Sequence, residues 1–362
     1  MYYFQVLLYT IAFVYAFSLL WGKKKKQFFF IVSGVLLTLF LGMRDIYTGG
    51  IDLLRYCSQY EMLSDADTIH AAYEMRSGEN ILFFGFLFIL AKLGFTFQGV
   101  LIIVAVLSVS PSLLLYYRYS NHPLLCISIF LPTCYIHLFS QLKQTIAVGI
   151  TIFAYMLLRK NKNFWAYFLF IIAILFHPTA LVMLPLFILS KRRVTPLRLL
   201  VLFSGAILVY ILRMQVGYFL TLAFYDQYLD HWESTESITS MAIFFIFFTV
   251  FYLITMPKKK KVSKEKYLLI STYLYALIIA MTIFFCSSYS YAFTRVNNYF
   301  LVFVPLALSE INGFGFWKKQ FGTRLPVHLM NGVVIYIMIN WFLDMVVTQR
   351  LDMYDFYFNS IY

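Results

Sequence analysis

Charge is scarce in this 362-residue chain: 12% of the residues are Asp, Glu, Lys or Arg, against 62% hydrophobic. At a mean hydropathy of +0.78, the apolar surface exceeds what a water-soluble core could hide, so lipid must be the solvent for most of it. Cysteine is also sparse. Cys57, Cys126, Cys134 and Cys286 never fall at C-x-x-C spacing, so no zinc or redox centre and no structural disulfide is expected. No Walker loop or dinucleotide fingerprint occurs, which argues against ATP hydrolysis by the chain itself. No small-residue cleavage site follows the apolar run 2–20, which leads straight into Trp21 and a lysine cluster. The N-terminus is therefore expected to stay as a first span.

What charge there is follows a pattern. Most of the 29 lysines and arginines sit in clusters, at 23–26, Arg118, Arg159/Lys160/Lys162, Lys191/Arg192/Arg193/Arg198, 258–266 and Lys318/Lys319/Arg324. Cytoplasmic loops of membrane proteins retain Lys and Arg, so these clusters read as inside. Of the 16 acidic residues, only Glu265 and Glu310 then fall on that side. The net charge of +13 does not imply nucleic acid, because spans separate the clusters and no continuous basic face can form. They read as anchors against an anionic leaflet. Arg44, Lys143, Arg213 and Arg295 break the rule by falling at predicted outer helix ends.

A window of about 20 residues, the length that crosses the hydrocarbon core, gives spans near 2–21, 27–43, 97–117, 123–139, 142–158, 163–176, 178–190, 197–213, 239–256, 267–286, 296–310 and 326–346. Counting 81–93 as a crossing would move the later basic clusters outside, so that segment is expected to be a short re-entrant or outer-leaflet helix. The expectation is an all-α polytopic membrane protein, a single transmembrane domain over 1–362 with about twelve helices, in an inner or plasma membrane. Two outer loops, 44–80 and 214–238, are acidic and aromatic. Rings beside carboxylates suit sugars, although an interfacial aromatic belt has the same composition.

Four motifs follow in order: Gly42-Met43-Arg44-Asp45 with Gly49-Gly50-Ile51-Asp52 and Tyr56; 140–147, reading Ser-Gln-Leu-Lys-Gln-Thr-Ile-Ala; Phe176-His177-Pro178-Thr179-Ala180-Leu181 through Leu184-Pro185-Leu186; and Arg295-Val296-Asn297-Asn298-Tyr299-Phe300. Their order and spacing resemble the EpsG-type, Wzy-like family of polysaccharide polymerases. The chain departs from the family pattern at Lys143 (usually arginine), Ser140 (asparagine), Thr179 (serine) and Leu53 (threonine). Lys143 keeps the charge but loses the planar fork.

The resemblance implies a GT-C-like glycosyltransferase acting at the periplasmic or extracellular face on oligosaccharides carried by undecaprenyl pyrophosphate. It also implies a chain-length regulator and a flippase as pathway partners. A flippase of lipid-linked oligosaccharide and an O-antigen-ligase-like transferase are the alternatives. A flippase would be expected to show inverted repeats and midplane charges, whereas here no clear repeat is found and the unusual charges sit at one face.

The residues suit pyrophosphate departure on their own account. Arg44, Arg295, Lys143 and Arg213 are candidate cations for the leaving group, with interfacial snorkelling as the other explanation. Asp52, Asp45, His177 and Glu79 are candidate bases for the acceptor hydroxyl. Asp45 is equally suited to orienting Arg44, Asp52 to capping a helix, Glu79 to binding sugar and His177 to the interface. Gln144, Tyr299 and Tyr56 are candidate sugar or supporting contacts. No metal-ligand constellation stands out, so a metal-independent reaction without a cofactor is expected.

Overall fold

The computed structural model describes residues 23–47, 52–68, 70, 80–139, 141–224, 239–257, 262–287 and 291–311. Among these residues the chain is all-helical, as its composition requires, because a backbone in hydrocarbon must satisfy its own hydrogen bonds. The expected spans 2–21 and 326–346, Glu79, and all of 225–238 lie outside the described residues.

The helices form two compact units, one holding residues 1–118, 123–180 and 342–362, the other 119–122 and 181–341. In the first, α1 (Lys23–Gly42) is followed by α2 (Leu53–Asp65), α3 (Ile81–Lys92), α4 (Phe97–Tyr119), α5 (Pro123–Phe130), α6 (Leu142–Arg159) and α7 (Asn163–Phe176). Apolar helix α4 spans 23 residues, about 35 Å at the α-helical rise, enough to cross a bilayer core.

Pro111 inside α4 lacks the N–H that would bond the Leu107 carbonyl, which frees that oxygen. Gly149 of α6 packs where a methyl group would collide with this carbonyl, with Pro111 Cγ 3.2 Å from the same position. Ser108 Oγ donates to Thr145 Oγ1 at 3.1 Å across the interface. A proline-freed carbonyl thus lies against the one residue type without a side chain to obstruct it. Helices α6 and α7 form a hairpin whose turn places Asn161 at φ 59°, a left-handed conformation that asparagine tolerates.

Unit 1 has two chemically different ends. At one, Gln27 Nε2 donates to Tyr117 Oη at 3.0 Å and the rings of Phe30 and Tyr117 lie 5.4 Å apart. The start of α1, with Lys23–Lys26, therefore lies beside the end of α4, with Arg118. Helices α4 and α6 run in the same sense, since their first turns share one apolar cluster containing Phe97, Val100, Leu142 and Ile146. The Arg159–Lys162 turn accordingly falls at the Arg118 end. Arg44 and Lys143 fall at the other.

The second unit contains α8 (Leu184–Leu189), α9 (Pro196–Ile211), α10 (Arg213–Phe224), α11 (Thr239–Thr255), α12 (Lys264–Cys286), α13 (Tyr291–Leu301) and α14 (Val304–Ile311). Helix α12 is its hub, touching α8, α9, α11, α13 and α14. At its start Ser263 Oγ accepts from the Lys266 amide at 3.2 Å, a cap that satisfies an otherwise orphaned donor. Lys266 Nζ lies 2.5 Å from a Glu310 carboxylate that is 1% exposed. Val194 N donates to Ser271 Oγ at 3.3 Å, and Thr272 Oγ1 donates to the Ser190 carbonyl at 3.2 Å. These polar ties surround the basic end of α12 and account for both acidic residues expected on the basic side, Glu265 in the first turn of the helix and Glu310 in the ion pair.

Among the described residues three helices are long and apolar enough to cross a membrane: α4, α6 and α12. The bent pair α9 and α10 makes a fourth if taken as one span. The other expected spans that fall on described residues are shorter or interrupted. The segment 123–139 is an eight-residue helix followed by a π turn and a 3-10 turn, 178–190 is a 3-10 turn before a six-residue helix, and 296–310 breaks between α13 and α14. Proline punctuates each of these stretches, and hydropathy counts such segments as apolar whether or not the helix is continuous.

Candidate functional site

Arg44 follows directly on α1 and is 1% exposed. Helix geometry accounts for the position, because the last carbonyls of α1 lack intrahelical donors and Arg44 Nη1 donates to one of them, on Leu41. The guanidinium lies over the Phe139 ring at 5.7 Å. Gln98 Nε2 donates to the Gly42 carbonyl at 2.5 Å and to the Arg44 carbonyl at 3.5 Å, while Tyr135 Oη donates to the Leu37 carbonyl at 2.5 Å. Arg44 is therefore held by its backbone and its ring face. Asp45 is buried beside it.

A single apolar cluster joins the first turns of α2, α3, α4 and α6. It includes Leu53, next to Asp52, and Leu142, next to Lys143. Ile46, next to Asp45, and Phe176, next to His177, pack against it. The chain neighbours of four candidate residues, Asp45, Asp52, Lys143 and His177, thereby meet in or against one cluster. The aromatic pair Phe86 and Phe176, 6.1 Å apart, links α3 to this end of α7.

Asp52 stands half-buried at the N-cap position of α2 and makes no side-chain capping bond. Leu53, where the family has threonine, is fully buried in the cluster. Tyr56 is also buried and meets Phe83 edge-on at 5.4 Å. His177 is buried, with Nδ1 2.5 Å from Thr179 Oγ1, while its backbone N–H closes α7 on the Ala173 carbonyl at 2.9 Å. The change from serine to threonine at 179 keeps the hydroxyl that touches the imidazole. Gln144 is buried in the first turn of α6 and Lys143 is half-buried there.

In α2, Cys57 Sγ lies 3.6 Å from Glu61 Oε1, and burial together with the Glu61 charge pushes its thiol up to about 11. All four cysteines are free.

Unit 2 gathers its own candidates. Arg213 Nη1 donates to the Tyr210 carbonyl at 2.9 Å, its guanidinium lies 4.7 Å from the Tyr210 ring centroid, and its charge acts on Cys286 at the far end of α12. Helix α13 leaves that same end and α14 returns to the Lys266 end, as the Lys266–Glu310 pair requires. Arg295, one turn into α13, therefore shares with Arg213 the end opposite the basic start of α12. Tyr299, one helical turn beyond Arg295, is buried at 1% exposure.

Gln98, Tyr135 and Phe139, which fix Arg44, escape sequence reasoning because they lie in apolar runs that carry no motif. Phe139 had one usable signal, its place four residues before Lys143.

A family model described as the EpsG family matches residues 27–345. No curated protein and no solved structure matches the chain.

Proposed function

The chain belongs to the EpsG family, a Wzy-like family of polysaccharide polymerases, and from that membership we propose that it joins undecaprenyl-pyrophosphate-linked oligosaccharide repeat units at the outer face of the bacterial cytoplasmic membrane. The observation that supports this reading is that the chain neighbours of Asp45, Asp52, Lys143 and His177, namely Ile46, Leu53, Leu142 and Phe176, belong to or pack against one apolar cluster, in the unit that also buries Arg44. A cation where none is needed for topology is expensive next to lipid and marks a functional position.

In the proposed reaction the acceptor hydroxyl oxygen bonds the anomeric carbon of the donor sugar and the bond from that carbon to the pyrophosphate oxygen breaks. The hydroxyl proton passes to a base, and undecaprenyl pyrophosphate leaves with the electron pair. Asp52 is the proposed base, because its half-buried side chain stands at the start of α2 beside Leu53 of the apolar cluster, while Asp45 orients Arg44 and His177 with Thr179 positions sugar. Arg44 and Lys143 in the first unit, and Arg295 and Arg213 in the second, are the proposed partners of the developing pyrophosphate charge. These guanidinium and ammonium groups supply the positive charge that a metal ion would otherwise bring, hence a metal-independent reaction without a cofactor. The polymer grows on its lipid, and a flippase upstream and a chain-length regulator alongside complete the scheme.

The test is a gel profile of lipid-linked and surface glycan from cells lacking the gene, complemented with wild type, Arg44→Ala, Arg44→Lys or Asp52→Asn. Wild type restores a ladder, and each alanine or asparagine variant at normal abundance lowers it by about 100-fold, the usual loss on removing one charge-stabilising group. Arg44→Lys falls between. Full-length polymer retained on its carrier in the deletion would identify a ligase, and repeat units held at the cytoplasmic face would identify a flippase.

A further inference from the structure

We infer that α10 lies in the plane of the membrane, with the bilayer's headgroup and acyl boundary as the partner of its exposed apolar face. The chain turns by 77° between α9 and α10. Helix α10 has 12 residues, about 18 Å of length, against a hydrocarbon core of about 30 Å. It cannot continue as a crossing, because Arg213 begins it and Asp226, Asp230, Glu233 and Glu236 follow it in the sequence. Carrying any of these to the bilayer centre costs roughly 2.5–3.5 kcal/mol on insertion scales. Charge at both ends fixes both ends near water.

The faces of α10 are also sorted. Met214, Tyr218, Phe219 and Leu222, at i, i+4, i+5 and i+8, are exposed on one side of the helix. Gln215 is exposed among them, while Gly217 and Thr221, along the edge next to Met214, are buried, Thr221 Oγ1 donates to the Gly217 carbonyl at 3.0 Å, and the helix packs on α13. An exposed face of this size in water would be a liability. Lipid is the occupant because the face continues from α9, an apolar helix that buries no residue and shows Leu200, Val201, Ile207, Leu208 and Ile211 outward. A short segment with exposed Tyr218 and Phe219 and an arginine at its start has the aromatic and basic anchors of a membrane interface. Through α13, this helix also sets the depth of Arg295, a corollary that rests on the polymerase reading.

The test is nitroxide labelling of Met214→Cys, Tyr218→Cys and Leu222→Cys in a Cys57→Ser background, reconstituted in phosphatidylglycerol and phosphatidylethanolamine vesicles. Depth is read by power saturation with oxygen and a water-soluble nickel chelate, and Val201→Cys and Leu208→Cys serve as references on α9. The expected result is one shallow depth for the three α10 positions and different depths for the two α9 positions. Depth changing along 214, 218 and 222 by the helical rise, about 12 Å, would make α10 a continuing span and overturn the inference. So would nickel access equal to that of a water-exposed site, or immobile labels shielded from both reagents, which would mean a second copy or another protein covers the face. The readout does not use activity, so it stands or falls apart from the polymerase proposal.

Discussion

Arg44 is buried, ring-stacked and tied to the end of its own helix, and each tie comes from a residue with no other signature. Cys57 shows the same locality from the opposite direction. Burial and Glu61 both disfavour its thiolate, and the thiol titrates near 11 instead of the ordinary value near 9. The raised value means the reactive form is depleted below pH 11 and recovers as pH rises through it. At pH 8 alkylation of Cys57 should be about 100-fold slower than for an ordinary thiol, should climb about tenfold per pH unit up to pH 10, and should accelerate in Glu61→Gln. Mass-spectrometric maleimide rates on the purified protein check this, and a rate already level by pH 9 would contradict it.

At the scale of elements, the tightest requirement is the crossing of α4 and α6. Gly149→Ala places a methyl group against the Leu107 backbone, which cannot step aside as a flexible side chain can, so the helices must separate. A loss of about 1–3 kcal/mol, the usual cost of overpacking, should appear as earlier thermal aggregation in detergent. Gly205→Ala, on a face of α9 with nothing within 4 Å, should leave that midpoint unchanged or raise it, since alanine is the better helix former by about 1 kcal/mol. Equal behaviour of the two variants would show that α4 and α6 do not meet as described. The periodicity of α4, α6 and α12 was readable because each is one unbroken apolar run. The interruptions at 131–138 and 301–304 were not, because hydropathy registers burial and not helix continuity. The turn into α10 was hidden for a related reason: its sequence is apolar enough to look like loop aromatics beside acids, and the bend is a backbone event.

For the whole molecule, the order of charges along the sequence predicts basic clusters inside and the candidate cations outside. Single cysteines at 70, 230 and 260, in a Cys57→Ser background, test the orientation with an impermeant maleimide on intact cells. Positions 70 and 230 should label from outside, and 260 only after lysis. Opposite results for 70 and 230 would remove the common outer face on which the proposed chemistry depends.

Composition and charge order by themselves determined that this is a helical membrane protein, and four short motifs in series were enough to indicate its family. Both signals are additive along the chain, summing over residues without reference to what any side chain touches. Only the tertiary structure decided that the Thr179 hydroxyl meets His177, that Phe139 and Gln98 lie against Arg44, and that 213–224 is a helix turned away from α9. These depend on contacts between residues up to about a hundred positions apart, and on packing that admits glycine opposite a freed carbonyl, which no local reading of the sequence can sum.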